Sequence, residues 1–491
     1  MINSILFDII GTFSPAELKR FRDFLRSPFH NTNKNVIKLF EYFKKFSPDF
    51  GSDKAKKFLT KEKVFKKIYP GKKFNDIVLR ILLSDLIKLS EEFLTYQGLR
   101  KNTFDEYKFL LQELNEKGID NLYRRIYKEA YKLIEQHDDL RIKYLKLFEY
   151  EMNFIDHHLQ RNKQQLITSN VLTRSECLIS FFILELAGNL HDLAINEQTF
   201  NAKFDFNLAY EFINRFDFDG LLKRIKESGF VHYTTLLVYV NMIKAIFNEH
   251  DDRSYDDFKE TVFDNYDRFS KHEAYNLLTN LETSCLNRRK NNPQKYEAET
   301  YFVYELMLRK NNYSYYGEEM GLQRYKNILV NFINLKKFDD VEKFVETYIN
   351  KVSPDIRDNL YLYSMALINF SKKDFINALQ LIQKIKYDYF TLKYDVKNLT
   401  LRIYYELKYF ENAYSLIDSY KHFLVKNKTV SEFFRERYLN FIGFMNTMIK
   451  FSESASNFEI EKLKSNLLKT NNVVSRDWLL EKIDELSLKQ L

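Results

Sequence analysis

Three stretches of the chain repeat one short pattern: Phe338-x-x-Val341-x-x-x-Val345, Phe375-x-x-Ala378-x-x-x-Ile382 and Phe410-x-x-Ala413-x-x-x-Ile417. The aromatic positions are 37 and then 35 residues apart. An aromatic, then a small or β-branched residue, then an apolar residue, recurring at such a period, is the pattern of stacked helical hairpins. One hairpin cannot bury its apolar face alone, so neighbours must stack and the array presents extended surfaces. The predicted fold class is all-α: a helical-hairpin solenoid with an N-terminal helical module.

Composition agrees. With 11 Gly and 6 Pro in 491 residues, turns must be few and short, and the glycine-rich turns of β-rich or doubly wound folds are excluded. Two cysteines, Cys177 and Cys285, cannot form a disulfide framework, which predicts a reducing, cytoplasmic location. The opening MINSILFDII has no basic region and is broken by Asp8, so it does not read as a signal peptide. Leu178–Leu190 is apolar but interrupted by Ser180, Glu185 and Asn189. It reads as a buried helix too short to span a bilayer, so no membrane insertion is expected.

Charge is uneven. Residues 1–100 hold 20 Lys+Arg against 11 Asp+Glu, or +9, while the whole chain is +8, leaving −1 for the rest. Four regions are expected: a basic helical module over 1–100, an irregular helical-hairpin array over 101–315, repeats over 316–450 and capping helices over 451–491. In the first, Ser14-Pro15-Ala16-Glu17 is a capping box opening a helix that Ser27-Pro28 ends. Thr60 caps a short helix, and a long helix from Phe74 is closed by Gly98. Helices are then predicted over 103–116, 120–136, 138–165, 171–190, 206–226, 232–248, 254–268, 270–290 and 295–309. A break near Asn471-Asn472 precedes a last segment anchored by Trp478.

The repeats resemble the tetratricopeptide (TPR) family, although its first-helix Trp and Gly are absent. The start, Phe13-Ser14-x-x-Glu17-x-x-x-Phe21-x-x-Phe24-Leu25-x-Ser27-Pro28, and the end, Trp478-Leu479-Leu480-Glu481-Lys482-Ile483, resemble a family of bacterial all-α, TPR-like proteins of about this length. That resemblance implies the fold and carries no activity. In tetratricopeptide arrays the first helix of each hairpin lines a concave groove. This implies Lys326, Asn334, Tyr363, Phe370, Asn398, Arg402 and Tyr405 as groove residues, a lining suited to an extended peptide.

The chain lacks a phosphate-binding glycine loop and a nucleophile elbow. Asp156-His157-His158 is the only histidine cluster, and neighbours on a helix diverge too far to chelate together. No cofactor, metal site or catalytic residue is predicted, and both cysteines read as buried and inert. Between Lys44 and Lys73, eleven lysines face three acids, interleaved with Phe46, Phe50, Phe58, Phe65 and Tyr69. Lys54, Lys56, Lys57, Lys63, Lys66, Lys67, Lys72 and Lys73 form a candidate basic patch for nucleic-acid phosphate, with the aromatics as stacking platforms. The bland alternative is a solvated lysine face over a phenylalanine core. Arg288-Arg289-Lys290 reads as cations complementing a helix end. The leading expectation is a non-enzymatic scaffold that binds a protein segment. Nucleic-acid association through the lysines is the alternative, and an enzyme with an unrecognised site the second alternative.

Overall fold

The computed structural model describes residues 5–200, 204–289, 291–315, 317–386, 392–426, 432–452, 456–470 and 472–488. Among these there is no strand, and 25 α-helices carry the fold. Their contacts define two compact units: residues 1–137 with 142–178, and residues 138–141 with 179–491. Residues 1–4, Lys290 and Asn471 of the segments discussed above lie outside the described residues.

The first unit opens with α1 (Ile5–Gly11), α2 (Pro15–Arg26), α3 (Lys34–Phe43), α4 (Asp53–Phe58), α5 (Lys61–Ile68) and α6 (Asp76–Lys101). These enclose a core of their own, ending at Phe93. Phe21 is its hub, with ring centroids 5.0 Å from Phe40 and from Phe93 and 5.6 Å from Phe13. The Ser14 capping box forms, with Glu17 Oε2 accepting from the Ser14 amide at 2.9 Å. The apolar opening segment forms α1. The long helix expected from Phe74 to Gly98 is corrected at both ends: it starts at Asp76 after the N-cap Asn75, and it runs past Gly98 to Lys101 because packing of Leu86, Leu89 and Phe93 outweighs one exposed glycine. α7 (Thr103–Glu116), α8 (Asp120–Glu135) and α9 (Leu140–Leu159) follow. α7 pairs with α8, and Tyr150 of α9 donates to the Phe104 carbonyl at 2.7 Å.

α10 (Thr168–Phe200) straddles the two units. Its polar residues Ser180, Glu185 and Asn189 do not interrupt it. Thr168–Glu197 is the one stretch among the described residues long and apolar enough to cross a membrane, with 39% of that apolar window buried within the protein.

The second unit continues with α11 (Leu208–Arg215), α12 (Phe218–Glu227), α13 (Tyr233–Phe247), α14 (Asp252–Asn265), α15 (Lys271–Arg288), α16 (Pro293–Arg309), α17 (Leu322–Asn334), α18 (Phe338–Tyr348), α19 (Pro354–Ser371), α20 (Phe375–Ile382), α21 (Lys393–Glu406), α22 (Phe410–Lys426), α23 (Glu432–Phe451), α24 (Asn457–Lys469) and α25 (Arg476–Leu488). Pairs form in chain order: α13 with α14, α15 with α16, α17 with α18, α19 with α20, α21 with α22, and α24 with α25. The helix expected over 206–226 splits into α11 and α12, because Asp217 caps a new start by accepting from the Gly220 amide at 2.8 Å.

Turns prove numerous as well as short, contrary to the expectation drawn from scarce glycine. The three repeat turns hold Lys336, Lys373 and Lys408 at φ of 55°, 66° and 58°. Each lysine sits two residues before its repeat phenylalanine. In each turn the next amide reaches back five residues: Lys337 to Phe332 at 2.9 Å, Asp374 to Asn369 at 2.8 Å and Tyr409 to Tyr404 at 2.8 Å. This is the Schellman closure, which usually places glycine at the left-handed position. Lysine there carries a Cβ penalty that glycine lacks. Lys373→Gly is therefore expected to raise stability by about 1 kcal/mol, seen as a higher denaturant midpoint; an unchanged or lower midpoint would contradict this.

Candidate functional site

The residues implied as a groove do not line an open surface. Tyr363 and Phe370 of α19 and Asn398 of α21 are buried. The Tyr420 hydroxyl donates to Asn398 Oδ1 at 3.1 Å. The Arg402 guanidinium lies over the Phe370 ring at 4.8 Å. Lys326 pairs with Asp395, and Asn334, the exposed member, donates to Glu297 at 3.2 Å.

The C-terminal end of this surface is occupied by the chain itself. Trp478 of α25 packs edge-to-face on Tyr405 at 5.6 Å and lies 6.4 Å from Phe370. Its indole N–H donates to Glu406 at 3.1 Å. Lys482, one turn on, contacts Glu406 at 3.0 Å and Glu485 at 2.8 Å. The tetratricopeptide resemblance implied these positions as a groove lining, and nothing in it pointed to Trp478 and Lys482, far along the chain, packing against Tyr405 and Glu406.

An open cleft lies beyond, between α23 and α24. It has a volume of about 520 Å³. It is lined by the amides of Asn440 and Asn466, the hydroxyls of Thr447 and Thr470, the charged Glu459 and Lys462, and the apolar Phe444 and Phe451; Asn440 donates to the Asn472 carbonyl and the threonine hydroxyls donate to the carbonyls of Gly443 and Asn466. Gly443 lines it in mid-helix, and a Cβ there would meet nothing within 4 Å. Glycine inside a helix costs stability relative to alanine, so this glycine, one of 11, was the sequence signal for the cleft.

A second cavity, of about 210 Å³, sets Glu185, His191 and Asp192 of α10 against Arg141 and against Asn276 and Asn280 of α15. Arg141 is held 3.8 Å from Asp139 and 4.0 Å from Glu185. His191 Nδ1 and Asn280 Oδ1 are buried without a hydrogen-bond partner, and burial lowers the His191 pKa.

α15 bordering that cavity is unusual in burying Glu273, Asn280, Glu282, Ser284, Asn287 and Arg288. Glu282 pairs with Arg324 of α17 and accepts from the Tyr304 hydroxyl of α16 at 2.5 Å. Arg288 complements a helix end, but that of α13 rather than its own. Its guanidinium donates to the carbonyls of Ala245 at 2.7 Å and Asn248 at 2.8 Å, and to Ser284 Oγ at 2.6 Å. Arg289 pairs with Glu297.

The remaining sequence candidates sort clearly. All eight lysines of the basic patch are exposed. Of the interleaved aromatics, Phe50 and Phe65 are in the core, Phe46 and Tyr69 pack against it, and Phe58 is exposed. His157 is buried with Nδ1 2.9 Å from Asn115 Oδ1, stacked on Tyr123 at 3.7 Å. Burial and the nearby Arg161 lower its pKa to about 4. Among the described residues no group of His, Cys, Asp and Glu could hold a metal ion. Burial pushes the thiols of Cys177 and Cys285 up to about 12, which makes them poor nucleophiles. No protein-family model, curated protein or solved structure matches this chain.

Two outcomes follow from α15. Arg288→Met leaves the α13 carbonyls without their donor and should cost about 3 kcal/mol or more, measured by denaturant unfolding; a loss below about 1 kcal/mol would contradict the role given to Arg288. Glu273 is buried, and burial, with Asp139 adding to it, raises its pKa to about 7 against the opposing Arg141 and Leu140 amide. Between the ordinary value of 4.5 and about 7 the folded protein holds the extra proton, so stability falls as pH rises through that window. Relative to Glu273→Gln, the wild type should lose about 3 kcal/mol across it. His157, with its depressed pKa, acts in the opposite sense and cancels in the comparison. Parallel pH profiles for the two proteins would refute the assignment.

Proposed function

We propose that the protein is a non-enzymatic interaction scaffold: a TPR-like array of helical hairpins that binds an extended segment of a partner protein. The observation supporting this most directly is the α23–α24 cleft. It is open, and its amides, hydroxyls and aromatic walls can pair with a peptide backbone while accommodating apolar side chains. Its lining has the mixed character first sought on α17, α19 and α21, where the chain supplies its own occupant in α25.

Gly443→Trp fills the cleft from a position with free space around it. Used as bait beside the wild type in extract from its native cell, with nuclease present, it should fail to recover a protein that the wild type retains, while its melting temperature stays close to the wild-type value. Recovery of the same proteins by both baits would overturn the cleft as the binding site.

The α10–α15 cavity supports a second reading, a site for a small polar molecule, because His191 Nδ1 and Asn280 Oδ1 lie buried there without partners. A small molecule that raises the melting temperature of the wild type but not of His191→Ala would favour this reading over the scaffold.

A further inference from the structure

α6 begins with a stripe that the fold leaves uncovered. Ile77, Val78 and Ile81 lie at i, i+1 and i+4 in its first two turns, and Phe74 immediately precedes the N-cap Asn75. Phe74, Ile77, Val78 and Ile81 are exposed by 39%, 65%, 37% and 58%. The opposite face of α6, through Leu79, Leu82 and Leu86, is in the core. The stripe is therefore a second apolar face, on the outside of the helix.

Lysines surround it. Residues 54–81 hold nine Lys and one Arg against Glu62 and Asp76. Lys61 reaches from α5 to Asp76 at 2.9 Å, Arg80 pairs with the same carboxylate, and Phe65 of α5 touches Phe74 at 5.5 Å. The basic face of α5 and the stripe are thus one surface. Lys66, Lys67, Lys72 and Lys73 make no ion pair among the described residues.

We propose that this surface docks on an anionic lipid bilayer, the stripe entering the headgroup boundary and the lysines meeting lipid phosphates. A bilayer satisfies both halves of the surface at once. Nucleic acid could stack on the exposed Phe58 and Phe74 as well as meet the lysines, but it would leave the aliphatic Ile77, Val78 and Ile81 in water. A second copy would set like charges face to face. Lysine rather than arginine dominates, which suits point-charge attraction to a fluid array of phosphates more than bidentate recognition.

Full-length protein is sedimented with phosphatidylcholine vesicles, with and without phosphatidylserine, at low and physiological ionic strength. Binding is expected only to the anionic vesicles and to weaken with salt. Ile77→Ser with Ile81→Ser should weaken it by about tenfold, and Lys66→Gln with Lys67→Gln by about as much. Equal binding to neutral and anionic vesicles, or no loss in the isoleucine pair, would overturn the proposal. So would tighter binding to duplex DNA that the isoleucine pair leaves unchanged. Ile81→Cys carrying a polarity-sensitive dye gives an independent measurement, since Cys177 and Cys285 are buried and escape labelling. The dye should shift to shorter wavelength on anionic vesicles, and an unmoved spectrum contradicts docking.

Discussion

A guanidinium shut away from water without a carboxylate partner organises the second unit. Arg288 is 1% exposed, and its counter-charge is the carbonyl end of α13 together with serine hydroxyls from α14 and α15. Burying a cation is costly unless its donors are largely met. Here the C-terminal carbonyls of α13, which lack intrahelical donors, accept from Nη2 and Ser284 accepts from Nη1, while Nε lies buried without a hydrogen-bond partner among the described residues. The arrangement admits little slippage, because a shift of α15 along its axis would unpair the α13 carbonyls and the guanidinium alike.

The same helix repeats the logic at other levels. Glu282 meets Arg324 and Tyr304, tying α15 to α17 and α16. Glu273, near its start, is the exception: beside the Asp138–Arg141 segment, both its carboxylate oxygens lie buried without a hydrogen-bond partner among the described residues. Apolar hairpins stacked on one another could slide by a turn at modest cost. Buried polar pairs penalise every register but one, which supports reading them as devices of specificity more than of net stability.

Much of the all-α architecture was legible. The 3.6-residue periodicity and end signals placed α7, α8, α13, α15 and α16 to within a few residues, and the Phe338, Phe375 and Phe410 helices begin at the repeat positions. What failed had identifiable causes. Asp217 capped a new helix inside an apolar run, and Gly98 was overruled by the packing of α6. Lys336, Lys373 and Lys408, and Asn162 and Asn311 (φ 55° and 50°), took left-handed turn positions that scarce glycine had seemed to forbid. The candidate sites were less legible, because periodicity gives the facing of a residue and not its neighbour in space. Arg402 and Tyr405 point inward, yet what they meet is Phe370 and the distant Trp478. The α23–α24 cleft left a trace only in Gly443, and the orphaned atoms of the α10–α15 cavity left none.

Trp478 has a consequence beyond packing. It is the single tryptophan of the chain, seated against Tyr405 with its indole N–H on Glu406. Its intrinsic fluorescence therefore reports one junction, where α25 meets α19 and α21, while 34 tyrosines and the helical circular dichroism report the whole. Parts of a fold can open at lower free energy than the whole. The chain thus carries a native optical reporter for the detachment of α25 from α19 and α21, separable from melting of the rest.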